Sequence, residues 1–174
     1  CEMDFFDVTG QRHSIRAFQS GEIEREKVDS VLATVNRAPS AGDLQAYQVY
    51  LVRSRDRRVA LAHAALHQMF ISEAPLVLVF CAAPARSAVK YGRRGQQLYA
   101  LQDATIACAH AQLAATALGL GSTWVGAFDE NAVSRAIGAR ENEIPIAILP
   151  IGYPAEAPSP TPRRSLKDLV REVK

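Results

Sequence analysis

The sequence is poor in the features that mark specialised classes of protein. It has three cysteines, Cys1, Cys81 and Cys108, too few and too scattered for a disulfide framework. Their odd number points to reduced thiols in a cytoplasmic protein. Neither sign of charge dominates, since 20 Lys and Arg face 18 Asp and Glu for a net charge of +2. Phosphate-backbone binders carry a clear basic excess, so nucleic acid is not expected as a partner. The local cluster Arg53, Arg55, Arg57 and Arg58 reads as a solvated face. No run is long and apolar enough for a membrane span, which needs about 20 such residues. The longest candidate, residues 104–120, is broken by His110 and Gln112 and fits a buried helix. No basic-then-apolar leader opens the chain, which passes directly into Glu2, Asp4 and Asp7.

Several chemistries lack a necessary part. Gly119-Leu120-Gly121 suggests a dinucleotide fingerprint, but the third glycine would fall at Trp124. The pair also follows a helical run, where the fingerprint opens one. His63 and His67 stand four apart, yet Ala64 occupies the place of a zinc protease's glutamate and no third ligand is evident. Ser14 and Ser40 have no G-x-S-x-G elbow around them. Cys81 and Cys108 sit in apolar runs, where cysteine acts as a small hydrophobe.

What remains is an ordinary globule of 174 residues, 48% hydrophobic and 22% charged, of the size of one domain. Val28, Val31, Leu32 and Val35 form one stripe of a helix that Pro39 ends. Residues 47–52 read as a strand apolar on both faces, hence interior, and 55–70 as a helix. The run 76–80 is short enough for a central strand, and 90–95 reads as a mobile loop or helix entry. A core helix over 99–118, a strand at 122–125, a helix at 130–137 and a strand at 144–152 follow. From Tyr153 onward Pro154, Pro158, Pro160 and Pro162 predict an extended arm bearing Arg163 and Arg164.

Two polar clusters carry the functional signal. Arg12, Ser14 and Arg16 place two permanently charged guanidinium groups beside a hydroxyl, a set suited to phosphate. Pro39, Ser40, Ala41, Asp43 and Gln45 form a polar loop leading into a strand that starts at Tyr47. Together the segments resemble the nitroreductase family, whose chains carry R-x-S-x-R/K and then P-S-x-x-N-x-Q-P-W. Asp43 departs from the usual Asn and Ala46 from the usual Pro. The helix ending at Gly119-Leu120-Gly121, then Trp124-Val125-Gly126-Ala127-Phe128, Pro150-Ile151-Gly152-Tyr153-Pro154 and Arg163-Arg164-Ser165-Leu166 follow in family order.

The resemblance implies an α+β fold: a three-layer α/β/α sandwich around a mainly antiparallel sheet, as one domain over 1–174. It implies that the arm, 153–174, docks on the partner of a homodimer. FMN is the implied cofactor and NADH or NADPH the implied electron donor, with a small flat molecule such as a nitroaromatic or quinone as acceptor. By position, Arg12 and Arg163, helped by Arg164, would bind the FMN phosphate, with His13 and Ser14 in the same cluster. Arg16 would stabilise negative charge near flavin N1 and O2. Asp43, with Pro39, Ser40, Ala41 and Gln45, would meet the uracil-like edge, and Gly126 and Ala127 would approach N5. A specialised oxidase or dehalogenase, or a non-catalytic flavin sensor or carrier, would use the same residues.

Overall fold

The computed structural model describes residues 3–173. Its central sheet has four strands in the order β1-β2-β4-β3, each pair antiparallel. These are β1 Tyr47–Val52, β2 Leu76–Ala82, β3 Gly121–Ser122 and β4 Ile144–Gly152. Around them lie α1 Phe5–Gln11, α2 Arg25–Asn36, α3 Arg55–Ala64, α4 Phe70–Glu73 and α5 Pro84–Arg94. The chain continues through α6 Ala100–Ala117, α7 Glu130–Ile137 and the single turn α8 Leu166–Leu169.

Strand β2 organises the sandwich because all seven of its residues are buried. A strand's side chains alternate between the two faces of its sheet. Leu76, Leu78 and Phe80 accordingly join the layer of Val28, Val31 and Val35 of α2 and Ala107 and Ala111 of α6. Val77, Val79 and Cys81 join the opposite layer with Leu61 of α3, Ile71 of α4 and Val133 of α7. Each large side chain buried this way stabilises the fold by about 1.5–3 kcal/mol. The alanines of α6 let it lie close over the sheet. One extra residue, Ile146, bulges from β4 where the register slips between Phe80↔Ala147 and Cys81↔Pro145.

The α+β class, the antiparallel sheet and most elements match the sequence reading, with several corrections. Strand β1 is an edge strand of this sheet and only Val52 on it is buried, so it is not interior. The helix read over 55–70 ends at Ala64. Leu66 and His67 turn left-handed, with φ of 58° and 60°, and the carbonyls of Ala64 and Ala65 accept from Asp129 N–H and from Gln68. For residues 90–95 the helix-entry alternative holds and the loop alternative does not. The helix that Pro84 opens at its first turn breaks at Gly92, with φ of 52°, and the helical path then resumes and winds through a π-turn, Gly95–Tyr99, into α6. The strand read over 122–125 shortens to β3, leaving Val125 as an isolated bridge to Ile148. A short helix, α1, stands before the Arg12 cluster, capped by the Asp4 carboxylate accepting from Asp7 N–H at 2.8 Å.

Among the described residues no helix is long and apolar enough to cross a membrane. Burial pushes the Cys81 thiol up to about 12 and raises that of Cys108 as well, so both stay protonated and unreactive. His63 and His67 stack edge to face at 4.9 Å, and no group of three or more potential ligands gathers among the described residues.

Candidate functional site

The Arg12–Arg16 segment is seated on the sheet by Ile15. Its side chain is 7% exposed, its N–H donates to Ser122 O at 3.0 Å, and Ser14 bridges Ser122 in parallel. This seat needs a glycine beneath it: a Cβ added to Gly121 would stand 2.7 Å from Ile15 Cγ1 and 2.9 Å from its Cβ. Phe18 presses on Gly152 in the same manner, 2.8 Å from where a Cβ would be. With Ile15 turned inward, Arg12, His13 and Ser14 are half-buried and Arg16 is exposed. Arg25–Asp29 is the one ion pair among the described residues, so the guanidinium groups of Arg12 and Arg16 have no carboxylate partner there.

The start of the arm holds this segment from the other side. Gln19 N–H donates to Tyr153 O at 2.8 Å and Ala155 N–H to Ala17 O at 2.9 Å, while the Glu156 carboxylate accepts from the N–H groups of Arg16 and Ala17. Tyr153 is fixed in turn by Lys27, which donates to its hydroxyl at 2.6 Å, and by Glu24, which accepts from it at 2.6 Å. That hydroxyl draws the Glu24 carboxyl below its usual range and the Lys27 ammonium above its own. Farther on the arm is exposed, and Arg163 and Arg164 with it. Arg164 donates to Asp168 O within the last turn.

The second cluster is a loop of unusual backbone. Gly42, Asp43 and Gln45 are left-handed, with φ of 58°, 56° and 45°. The short side chain of Asp, like that of Asn, tolerates this region better than others do, which accounts for an Asx residue at position 43. A non-glycine residue there costs on the order of 1–3 kcal/mol and persists only where its surroundings impose it. They do so here. Ser40 Oγ accepts from Gln45 N–H at 3.0 Å, and Gln45 Nε2 donates to Asn36 O and Oδ1, each at 3.1 Å. Arg86 donates to Leu44 O. From beneath, the Asp103 carboxylate accepts from Ala41 N–H at 2.9 Å and Ala46 N–H at 3.3 Å. A Cβ at Gly42 would collide with the tips of Tyr91 and Lys90, at 2.5 and 2.8 Å.

Within one chain the two clusters face different cavities. His13 and Ile15 line one of about 390 Å³ with Gly121, Pro154 and Glu156. Pro39, Ser40 and Ala41 line another, of about 580 Å³ and largely apolar, with Tyr99, Asp103 and Ile106. Arg163 and Arg164 line neither. Gly126 and Ala127 are exposed beyond Val125, and among the described residues neither N–H has an acceptor. Ala127 O accepts a long bond from Gln68 at 3.4 Å.

Sequence reasoning missed Asp103, Glu156, Asn36 and Lys90 as supports of these clusters. Asp103 left a trace, as a lone carboxylate at the head of an apolar helix. Glu156 left none, because its partners are backbone N–H groups 139 and 140 positions away.

Comparison with known proteins gives a consistent result. The chain is 27% identical to an NADH dehydrogenase of Thermus thermophilus, covering 92% of this chain and 91% of that one. It is 29% identical to an NAD(P)H-dependent FMN reductase of Bacillus subtilis, covering 86% of this chain and 66% of that one. Among solved structures it is similar to the NADPH:FMN oxidoreductase of Vibrio harveyi complexed with NAD+. The TM-score is 0.89 at 25% identity, over 98% of this chain and 77% of that one. The sequence model of the nitroreductase family matches residues 9–90 and 57–153. A match of that extent, on a chain whose motif segments the sheet seats in family order, makes this protein a member of the nitroreductase family.

Proposed function

We propose that the chain is an FMN-dependent oxidoreductase that takes electrons from NADH or NADPH and passes them to a small flat acceptor such as a nitroaromatic or quinone. We place it in the cytoplasm and read it as a homodimer. The observation that carries this reading is the pair of guanidinium groups, Arg12 and Arg16, with no carboxylate partner among the described residues, on a segment whose backbone is locked to the sheet. Permanent cations carried on an anchored backbone suit a ligand that brings its own negative charge.

The residues present fit FMN. When bound, FMN supplies the redox chemistry, and the chain binds it, orients it and sets its electrostatics. Arg12, His13 and Ser14 would hold the phosphate, and Arg16 would offset negative charge at the pyrimidine side. Asp43 would accept from the ring's N3–H, Gln45 would brace that edge, and the open N–H groups of Gly126 and Ala127 would meet N5. Pro39, Ser40 and Ala41 face a separate cavity in a single chain, which supports a site completed by a second copy. The exposed arm, with Leu166 74% and Val170 63% accessible, would dock on that copy and bring Arg163 and Arg164 to the phosphate.

The visible spectrum of the purified protein tests the reading. Flavin bands that bleach on anaerobic addition of NADH or NADPH are expected. A colourless protein that takes up no added FMN overturns it, and bands bleached by dithionite alone point to a flavin carrier.

Asp43 makes a further prediction. A carboxylate adds negative charge beside a ring that becomes more negative on reduction, and so lowers its potential. Asp43→Asn is expected to raise the midpoint potential by on the order of 30 mV, the equivalent of a tenfold change for two electrons. An unchanged potential in spectroelectrochemical titration would remove this electrostatic role.

A further inference from the structure

Asp103 is the only charged side chain among the buried described residues, at 2% exposure. It stands in the first turn of α6, where the preceding π-turn continues into the helix, so its carboxylate is not needed as a helix cap. Its two hydrogen bonds run instead to the N–H groups of Ala41 and Ala46, the two ends of the left-handed loop. Between those ends no residue is buried. The loop's strained backbone is therefore held chiefly by hydrogen bonds, and among its partners Asp103 is the one charged group that reaches both ends from below. A buried carboxylate is costly to keep unless it is well bonded. Here it holds open a conformation that carries Ser40, Ala41 and Asp43 to the surface.

We propose that Asp103 is a positioning residue for flavin. By pinning both ends of the 41–46 loop, it presets the backbone that presents Asp43 and Ser40 before any ligand arrives. The inference rests on the functional reading above. It assigns the preorganisation of the loop to a residue that never touches the cofactor. An Asn at this position keeps one acceptor but turns an amide N–H₂ toward the other backbone N–H, so one end of the loop is released.

The test uses the full-length chain freed of flavin, with FMN affinity read by fluorescence titration, amide exchange at Ala41 and Ala46, and a thermal melt. In the wild type, both amides are expected to be protected without FMN. Asp103→Asn is expected to fold, to speed exchange at Ala41 or Ala46, and to weaken FMN binding at least tenfold. A merely structural role would lower the melting temperature and leave the affinity of the folded protein within twofold, and that result overturns the proposal. Protection of Ala41 and Ala46 that appears in the wild type only after FMN is added overturns it as well, with no variant required. A wild type that does not bind FMN brings down the functional reading and this inference together, whereas a binding wild type with an equally tight Asp103→Asn variant brings down this inference alone.

Discussion

Gly121→Ala is expected to strip FMN from a protein that still folds. The added Cβ would stand 2.7–2.9 Å from three atoms of Ile15, including its Cβ, so rotation of the side chain does not relieve the clash. The segment must lift from β3, lengthening the 3.0 Å bond from Ile15 N–H to Ser122 O. Overpacking of this kind costs about 1–3 kcal/mol of stability, which a domain with a total of about 5–15 kcal/mol survives. Binding suffers more, because Arg12 and Arg16 ride on the segment that moves. Each charged hydrogen bond is worth about 1.5–3 kcal/mol. Losing even one weakens binding by roughly tenfold or more. Equilibrium dialysis with FMN, alongside a thermal melt, separates the two effects. Wild-type affinity in a folded Gly121→Ala protein would show that the seat of Ile15 does not govern the arginines.

The complementary result is a loss of stability without a loss of the site. Phe80→Ala empties the centre of β2, where the ring is fully buried in the layer between the sheet and helices α2 and α6. Removing a buried phenylalanine costs about 3–5 kcal/mol, through lost transfer energy and the cavity left behind. Phe80 lies between Val49 of β1 and Ala147 of β4, at the bulge, and the strands on both sides resist collapse into the space. Urea titration should give a much lower midpoint with an unchanged slope. For a chain of this length the melting temperature should fall by roughly 6–20 °C. The folded fraction should still bind FMN, since no residue of the Arg12 segment or the 41–46 loop packs in that layer. A loss below about 1 kcal/mol would mean that α6, with its small alanines, closes over the gap.

Much of this protein is legible along the chain. The period of Val28, Val31 and Val35 yields α2. The unbroken run around Leu78 yields a doubly covered strand, and Pro39 marks where α2 must have ended. The motif residues and their order pointed to the family that the comparison bears out. These features are local, since periodicity, proline geometry and motif spacing act within a few positions of one another.

Other features form between distant segments and leave no local mark. Val49 and Tyr50 have the apolar look of an interior strand, yet β1 falls at the edge, because strand order is set by long-range pairing, here of β2 with both β1 and β4. Residues 55–70 have a helical pattern throughout, but Asp129 N–H takes the carbonyl of Ala64 from across the fold and the chain turns left-handed at Leu66. By itself the sequence determined the α+β class, most of the elements and the two polar clusters. Tertiary structure alone decided that Gly121 carries Ile15, that Glu156 holds Arg16 and that Asp103 pins a strained loop. The physical reason is that backbone N–H groups carry no sequence signature. A carboxylate can bind them from 57 to 140 positions away only once the sheet has brought the segments together.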